Sequence, residues 1–274
     1  MNVLGMERVE VLRGPQGTLF GRNSTGGAIR IFTEQPGPEE EGSINLSLGN
    51  FDRADVNAMY NVPLGDTTYL RLQAASLSQD GYVTRGSQEL GGSEDTLLRA
   101  QLAFEPSDAL RVSLSLLSTD SESDGNPQDL ATFDMRPNLD YEGNRADWVS
   151  DFLEAAGEPR IDPADDSRIV LDDYTMPAWC FLDDADPDWD AACEQRNDAE
   201  LDLFSVNVEW QISDSASLTS ITGLSDYKSE GFTDWVMLGT EQRPTNVESE
   251  VLYQEVQFNF STDSINLVTG ISYF

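Results

Sequence analysis

The sequence predicts an all-β protein: a partial transmembrane antiparallel β-barrel of about nine strands, preceded by a small glycine-rich β unit. Three observations predict it. Apolar and polar side chains alternate with a period of two along most of the 274 residues. Most alternating runs are about ten residues long, the length a tilted strand needs to cross a bilayer. The connections between the runs alternate between short and long, as in outer-membrane barrels.

Each predicted strand carries apolar side chains on one face only. In the sixth strand, Phe204, Val206 and Val208 alternate with Ser205 and Asn207. The strand at 216–227 alternates least regularly. The predicted strands cover residues 43–50, 54–62, 68–78, 95–104, 109–119, 200–212, 216–227, 250–261 and 265–273.

The connections predict that the two ends of the sheet differ. Short connections lie at 63–66, 105–108, 213–215 and 262–263, and long ones at 79–94, 120–199 and 228–249. Outer-membrane barrels have short periplasmic turns and long extracellular loops. The first connection, 51–53, is short although it falls on the long-loop side.

The stretch from Glu7 to Thr33 differs from the rest of the chain. It contains a strand at 8–13, a glycine-punctuated excursion and a second strand at 28–33. Such a density of glycine suits positive φ angles or very close approach of two backbones. The Pro- and Glu-rich segment from Glu34 to Gly42 follows and predicts a domain boundary.

This stretch resembles the C-terminal part of the plug domain of TonB-dependent outer-membrane receptors, whose motif reads ERVEVLRGPQG-T-x-x-G followed by N-x-x-GG-x-I. The matching plug-motif residues include Glu7, Arg8, Arg13, Gly14, Pro15, Gly17, Gly21, Asn23, Gly26 and Gly27. The resemblance implies three parts: residues 1–36 form the end of the plug, 37–42 a linker, and 43–274 the first part of the barrel, with a long extracellular loop at 120–199.

The resemblance also implies a function. Receptors of this family take up scarce nutrients, mostly ferric siderophores, using the TonB energy-transducing complex, in contact with outer-membrane lipid. No cofactor is implied. A barrel of ~22 strands encloses a lumen that needs a plug, so about nine strands imply a chain incomplete at both ends that transports nothing alone. The family's energy-coupling box is absent from the sequence, and residues 1–6 show no secretory signal.

Polar side chains on the inner barrel face are candidates for holding the plug. They include Arg71, Arg99, Arg111 and Glu209. In the plug, Glu7, Arg8, Glu10 and Arg13 are the charged candidates for contact with the barrel. We expect Arg13 to pair with an inward-facing barrel carboxylate, because a bare charge in a partly desolvated lumen is costly.

The net charge of −34 argues against nucleic acid as a partner, since phosphates would be repelled. The chain has no histidine, which excludes Ser-His-Asp triads and histidine metal sites. A carboxylate pair of the glycosidase kind stays open, but no pair stands out. The sequence therefore predicts no enzyme.

The long loop contains both cysteines, Cys180 and Cys193, which predict a disulfide in an oxidising compartment. Aspartates cluster between them, which suits either a calcium site or a solvated acidic loop; EF-hand spacing is absent. Residues 146–156 could form a short helix. The acidity and the cysteine pair leave one alternative class: a secreted acidic calcium-dependent β-sandwich adhesin or carbohydrate-binding protein.

Overall fold

The computed structural model of the 274-residue chain describes residues 5–15, 25–85, 88–125, 132–134, 168–170, 195–234 and 242–273. Its principal element is one antiparallel sheet of nine strands in the order β15-β14-β13-β12-β9-β8-β5-β4-β3. The strands are β3 Glu41–Leu48, β4 Ala54–Pro63, β5 Thr68–Gln79, β8 Ser93–Ser107, β9 Leu110–Ser123, β12 Arg196–Ser213, β13 Ala216–Asp234, β14 Gln242–Ser261 and β15 Asn266–Tyr273.

Six further short strands pair outside the large sheet. They are β1 Met6–Arg13, β2 Gly27–Thr33, β6 Val83–Arg85, β7 Gln88–Leu90, β10 Thr132–Asp134 and β11 Arg168–Val170. They form three antiparallel pairs, β1-β2, β6-β7 and β10-β11. The predicted strands of the glycine-rich stretch correspond to β1 and β2, and all nine predicted barrel strands are present. Their bounds differ from the predicted ones by up to four residues, except at the end of β13 and the start of β14, where the differences are seven and eight.

The register gives the sheet two chemically different faces, because directly paired residues point to the same side. One cross-strand row joins Tyr60, Leu72, Leu116 and Phe204. This apolar face stays exposed: Leu72 is 45% exposed and Leu116 55%. Exposure of whole rows of large apolar side chains suits a sheet that is solvated by lipid and not packed on a second sheet.

The adjacent row, one residue along each strand, is polar and lies on the opposite face. It joins Asn61, Arg71, Gln101, Ser115 and Ser205. Asn61 is 1% exposed, Arg71 4% and Gln101 4%. The polar face is therefore the covered face, which is the reverse of a soluble protein's arrangement.

The apolar face runs obliquely across the strands. On β3 the apolar side chains centre on Leu46. The row of directly paired residues that begins at Leu46 crosses the sheet and reaches Glu248 on β14. The apolar side chains of β14 centre instead on Val256, about eight residues further along. At ~3.3 Å per residue and ~4.8 Å per strand step, this drift over seven steps corresponds to a tilt of roughly 40°. Transmembrane barrel strands tilt by about 35–45°.

Three strands exceed the length that the membrane requires by the largest margin. β12, β13 and β14 contain 18, 19 and 20 residues, whereas ~9–11 suffice to cross a bilayer. The prediction of a long connection at 228–249 was therefore wrong: β13 continues to Asp234 and β14 begins at Gln242. In these extensions polar residues predominate on both faces, so the period-two apolar signal is lost although the strands still pair.

The connections separate by length as predicted. Residues 64–67, 108–109, 214–215 and 262–265 form short turns at one end. The other end contains residues 49–53, the segment 80–92 with its β6-β7 hairpin, the segment 124–195 and residues 235–241. The predicted loop at 120–199 is shorter at both ends, because β9 extends to Ser123 and β12 starts at Arg196.

Several predictions concern residues outside those described: the helix at 146–156, the disulfide between Cys180 and Cys193, and the aspartates between them. Within the described ranges, no helix is long and apolar enough to cross a membrane.

Candidate functional site

The β1-β2 hairpin separates charge from apolar surface in the same way as the large sheet. On one face Arg8 pairs with Phe32, and Glu10 with Arg30. Glu10 accepts hydrogen bonds from Arg8 at 3.2 Å and from Arg30 at 3.1 Å. The Arg8 guanidinium lies 3.7 Å from the centroid of the Phe32 ring. This face is a small, exposed network of charges around one aromatic ring.

The opposite face of the hairpin is apolar and exposed. Val9 pairs with Ile31 and Val11 with Ile29. Ile29 is 71% exposed. The alternation predicted from sequence is thus present, and this face is open in the described structure.

Two motif glycines have a backbone reason to be glycine. Gly27 has a φ of 142° and pairs with Arg13; a Cβ there would overlap the carbonyl oxygen of Leu12. Gly14 has a φ of 85°, and its N–H donates to the Gly26 carbonyl oxygen at 3.3 Å. These residues let the two strands approach closely at the glycine-rich end of the hairpin.

Arg71 of β5 connects the hairpin to the large sheet. Its Nη2 donates to Glu34, the residue directly after β2, and its Nη1 donates to Glu41, the first residue of β3, at 3.3 Å. Arg71 is 4% exposed. Two carboxylates offset the cost of burying this charge, so one side chain joins both ends of the segment between β2 and β3.

Asn61 of β4 holds the middle of the same segment. Its Oδ1 accepts from the Gly37 N–H at 3.2 Å, and its Nδ2 donates to the carbonyl oxygens of Gly37 at 2.9 Å and Glu39 at 2.5 Å. Asn61 and Arg71 are direct cross-strand partners. The linker predicted at 37–42 is therefore bound along the wall of the sheet, at the end with the short turns.

Gln73 contacts the start of the hairpin. Gly5 has a φ of 56°, and a Cβ on it would overlap Gln73 Nε2. The Gly5 carbonyl oxygen accepts from the Glu34 N–H at 2.8 Å. We call Asn61, Arg71 and Gln73, with the segment they contact, the junction.

Two other candidate residues on the inner face bind partners within the large sheet and not in the hairpin or linker. Arg111 pairs with Glu105 inside the sheet, and Glu209 accepts from Asn207 Nδ2 at 2.8 Å. Buried atoms without a hydrogen-bond partner on this face include Gln73 Oε1 and Gln101 Oε1. The polar wall thus retains hydrogen-bonding capacity beyond the contacts described.

At the long-loop end, two aromatic side chains meet beside a strained turn. The rings of Phe51 and Tyr82 lie 5.6 Å apart. Phe51 and Asp52 have φ values of 59° and 48°, uncommon for residues other than glycine. Arg53 donates a hydrogen bond to Asp55 at 2.7 Å. This hydrogen bond is the main cause that raises the pKa of Arg53, and the negative charge of Asp55 is the second.

A trough of about 1430 Å³ crosses the sheet at one level from β3 to β14. Tyr60, Leu72, Leu116 and Phe204 contribute to its mostly apolar lining. Because these residues belong to the exposed apolar face, we assign the trough to the lipid-facing surface. In the described ranges, no group of three or more acidic or cysteine side chains could hold a metal ion.

The described ranges contain seven of the predicted site residues: Glu7, Arg8 and Arg13 on β1, Gly14 and Pro15 after it, Gly26 before β2, and Gly27 at its start. Gly17, Gly21, Asn23, Cys180 and Cys193 lie outside them. The sequence did not single out Asn61 or Gln73. The signal that could have found Asn61 is a carboxamide at the end of a strand, opposite a Pro-Gly-Pro linker that cannot form a regular strand.

The geometry defines a class of protein: an outer-membrane β-barrel wall with an N-terminal hairpin held on its polar face. The comparisons lead from this class to a family. The pesticin receptor of Yersinia pestis is 32% identical over 107 residues, which is 38% of this chain and 16% of the receptor. The metal-pseudopaline receptor CntO of Pseudomonas aeruginosa is 35% identical over 80 residues, 28% of this chain and 11% of the receptor. No family model matches.

Solved structures give the same fold over nearly the whole chain. The ferric-catecholate import receptor Fiu of E. coli K12 aligns with a TM-score of 0.67 at 18% identity, covering 98% of this chain and 39% of Fiu. The ferric yersiniabactin uptake receptor FyuA of Yersinia pestis aligns with a TM-score of 0.65, covering 98% and 35%. The chain is homologous to TonB-dependent outer-membrane receptors. It spans well under half the length of these proteins.

Proposed function

We propose that this chain is the part of a TonB-dependent active transport receptor that contains the end of the plug and the first strands of the barrel. The receptor takes up ferric siderophores or a similarly scarce nutrient across the outer membrane. The parts are those predicted from the sequence: 1–36 plug, 37–42 linker and 43–274 barrel. No catalytic role is proposed.

One observation carries the proposal: a hairpin is held through polar contacts on the polar face of a membrane-spanning wall. Arg71 is buried against Glu34 on that face, while Leu72, its neighbour in sequence, is exposed on the other. A polar, hydrogen-bonded boundary can be rearranged by exchanging partners with water, whereas a dry apolar boundary would resist movement. This suits a plug that must shift to open a path.

The substrate class rests on the relatives' names. They include a receptor for pesticin, one for metal-pseudopaline and an iron-regulated outer membrane virulence protein. The structural neighbours include receptors for ferric yersiniabactin and ferric catecholates. A metal chelate is the kind of ligand that these names mention most often, which supports a ferric siderophore as the substrate.

The motif residues have proposed roles in the plug. Gly14, Gly26 and Gly27 shape its glycine-rich end, while Glu7, Arg8 and Arg13 supply charge for contact with the barrel. We propose that Arg13 pairs with a barrel carboxylate and that Cys180 is disulfide-bonded to Cys193 in the outer loop. A double-mutant cycle between Arg13 and each inner-face glutamate tests the first of these.

Uptake is tested with the full-length gene product in a Gram-negative host that lacks its own siderophore receptors. Radiolabelled iron is supplied as catecholate, hydroxamate and mixed-type chelates, in hosts with and without TonB. We expect accumulation of at least one chelate that requires TonB. Equal accumulation with and without TonB, or none with any chelate, would contradict the proposal.

Detergent dependence separates the adhesin alternative. The proposed receptor is extracted from the outer membrane only by detergent and loses monodispersity when detergent is removed. A secreted sandwich protein stays monodisperse in plain buffer, and that result would reject the receptor.

A further inference from the structure

The two ends of the β1-β2 hairpin have different surroundings. At its open end, Gly5 and Glu34 contact side chains of β5. At its glycine-rich end, a Cβ placed on Gly14 or on Gly26 would meet no atom within 4 Å. One end is packed against the wall, whereas the described residues leave space beside Gly14 and Gly26 at the other end.

The linker is bound in a way that only a carboxamide provides. Pro36 and Pro38 lack backbone N–H groups, so this segment cannot pair as a regular strand. Asn61 replaces the missing strand partner, because its amide both accepts from and donates to the backbone of Gly37. The side chain is 1% exposed, so water does not compete for these bonds.

Arg71 extends the same attachment to both ends of the linker. Its side chain is 4% exposed, whereas those of Glu34 and Glu41 are 46% and 54% exposed. The charge is therefore fixed in the wall, and the two carboxylates reach it from the end of the hairpin and from the start of β3. Removing either carboxylate weakens the attachment without creating a cavity in the wall.

We propose that Asn61, Arg71 and Gln73 are positioning residues that anchor the open end of the plug hairpin and its linker to the barrel wall. The open end and its linker then stay attached to the wall when the plug shifts. The effect of this anchor on uptake rests on the proposed transport function, whereas the attachment itself does not. A pull on the plug would thus be resisted at the junction and would be taken up by rearrangement elsewhere.

The attachment is measured by hydrogen–deuterium exchange on the full-length receptor in vesicles. Asn61→Ala removes the acceptor of the Gly37 N–H and both donors to the linker. We expect amides in residues 34–42 to exchange about tenfold faster, the order of effect of one lost hydrogen bond. The matched control is Asn57→Ala, the same change on the same face of the same strand, which should leave linker exchange unchanged.

A second, exposed pair keeps the test independent of folding. Glu34→Gln removes the carboxylate that Arg71 contacts, and Glu39→Gln makes the same charge change nearby in the linker. We expect faster exchange at the amide of residue 34, whose N–H donates to the Gly5 carbonyl oxygen, only in Glu34→Gln. Linker exchange equal to wild type in both Asn61→Ala and Glu34→Gln would overturn the anchor.

Uptake provides the functional readout. With the anchor weakened, we expect TonB-dependent uptake by Asn61→Ala to fall severalfold while the affinity for the chelate stays at the wild-type value. A wild-type receptor that takes up no chelate would reject the transport function and leave the exchange result standing. Unchanged uptake in a variant with a loosened linker would show that the attachment does not serve transport, and would overturn that part of the proposal.

Discussion

The assignment of the two faces of the sheet predicts opposite effects for an arginine placed at neighbouring positions of β12. Val206 lies on the apolar face, between Phe204 and Val208, and Ser205 lies on the polar face. We expect Val206→Arg to destabilise the full-length receptor strongly, because the new charge would enter the hydrocarbon region. Ser205→Arg should cost far less, because it points into the polar interior.

The size of the expected destabilisation depends on how deep in the membrane the new arginine lies. An apolar band ~25 Å tall, crossed by strands tilted at roughly 40°, covers ~33 Å of strand, or about ten residues at ~3.3 Å each. On β12 the apolar side chains from Phe204 to Trp210 centre the band at 207, so it extends over about residues 202–212. Val206 lies near the midplane, where an arginine costs about 2–4 kcal/mol.

Asp202 provides the depth control. It lies on the same face as Val206, at the band's edge, where an arginine costs about 0–1 kcal/mol. The free energy of unfolding is measured by urea titration of the receptor folded into phosphatidylcholine vesicles. Equal costs for Val206→Arg and Ser205→Arg would refute the assignment of faces. A large cost for Asp202→Arg would refute the position of the band.

Three further predictions concern other parts of the chain. Asp226 pairs directly with two other carboxylate residues across the strands, and at roughly 5–6 Å each of them repels it by ~0.7 kcal/mol in water. Asp226→Asn should therefore raise the free energy of unfolding by about 1 kcal/mol at low salt. Added salt should abolish this gain, because it screens the repulsion. Gly27→Ala should destabilise the plug by about 1–3 kcal/mol in thermal unfolding, through backbone strain and overlap with the partner strand; Gly26→Ala, where a Cβ meets open space, should be nearly neutral. Mass spectrometry of the non-reduced receptor should find Cys180 and Cys193 linked; two free thiols would exclude the disulfide.

The bounds of the strands were predictable where one face meets lipid. The prediction failed in the extensions, where alternation is lost. From Phe204 to Trp210, alternation is imposed by the membrane and is visible in the sequence. Beyond Asp226, β13 continues to Asp234 and its partner β14 begins at Gln242, and polar residues predominate on both faces of this stretch. Pairing there is maintained by backbone hydrogen bonds to neighbouring strands, and such bonds place no demand on side-chain polarity.

Part of the junction was also predictable. Arg71 was expected to face inward and to contact the plug, since alternation fixes its face and a buried charge needs a partner. Its partners were not predictable, because Glu34 and Glu41 lie 37 and 30 residues away in sequence. Asn61 was an ordinary polar residue in the sequence; only the register that places it beside Arg71 gives it a role.

The sequence by itself determined the all-β class, the two unlike faces of the wall and the glycine-rich hairpin. These features are local, because period-two alternation and glycine's backbone freedom act over a few residues. Only the tertiary structure decided that Asn61, Arg71 and Gln73 together hold the open end of the hairpin. Those contacts join strands distant in sequence, and their geometry exists only once the sheet has formed with its register.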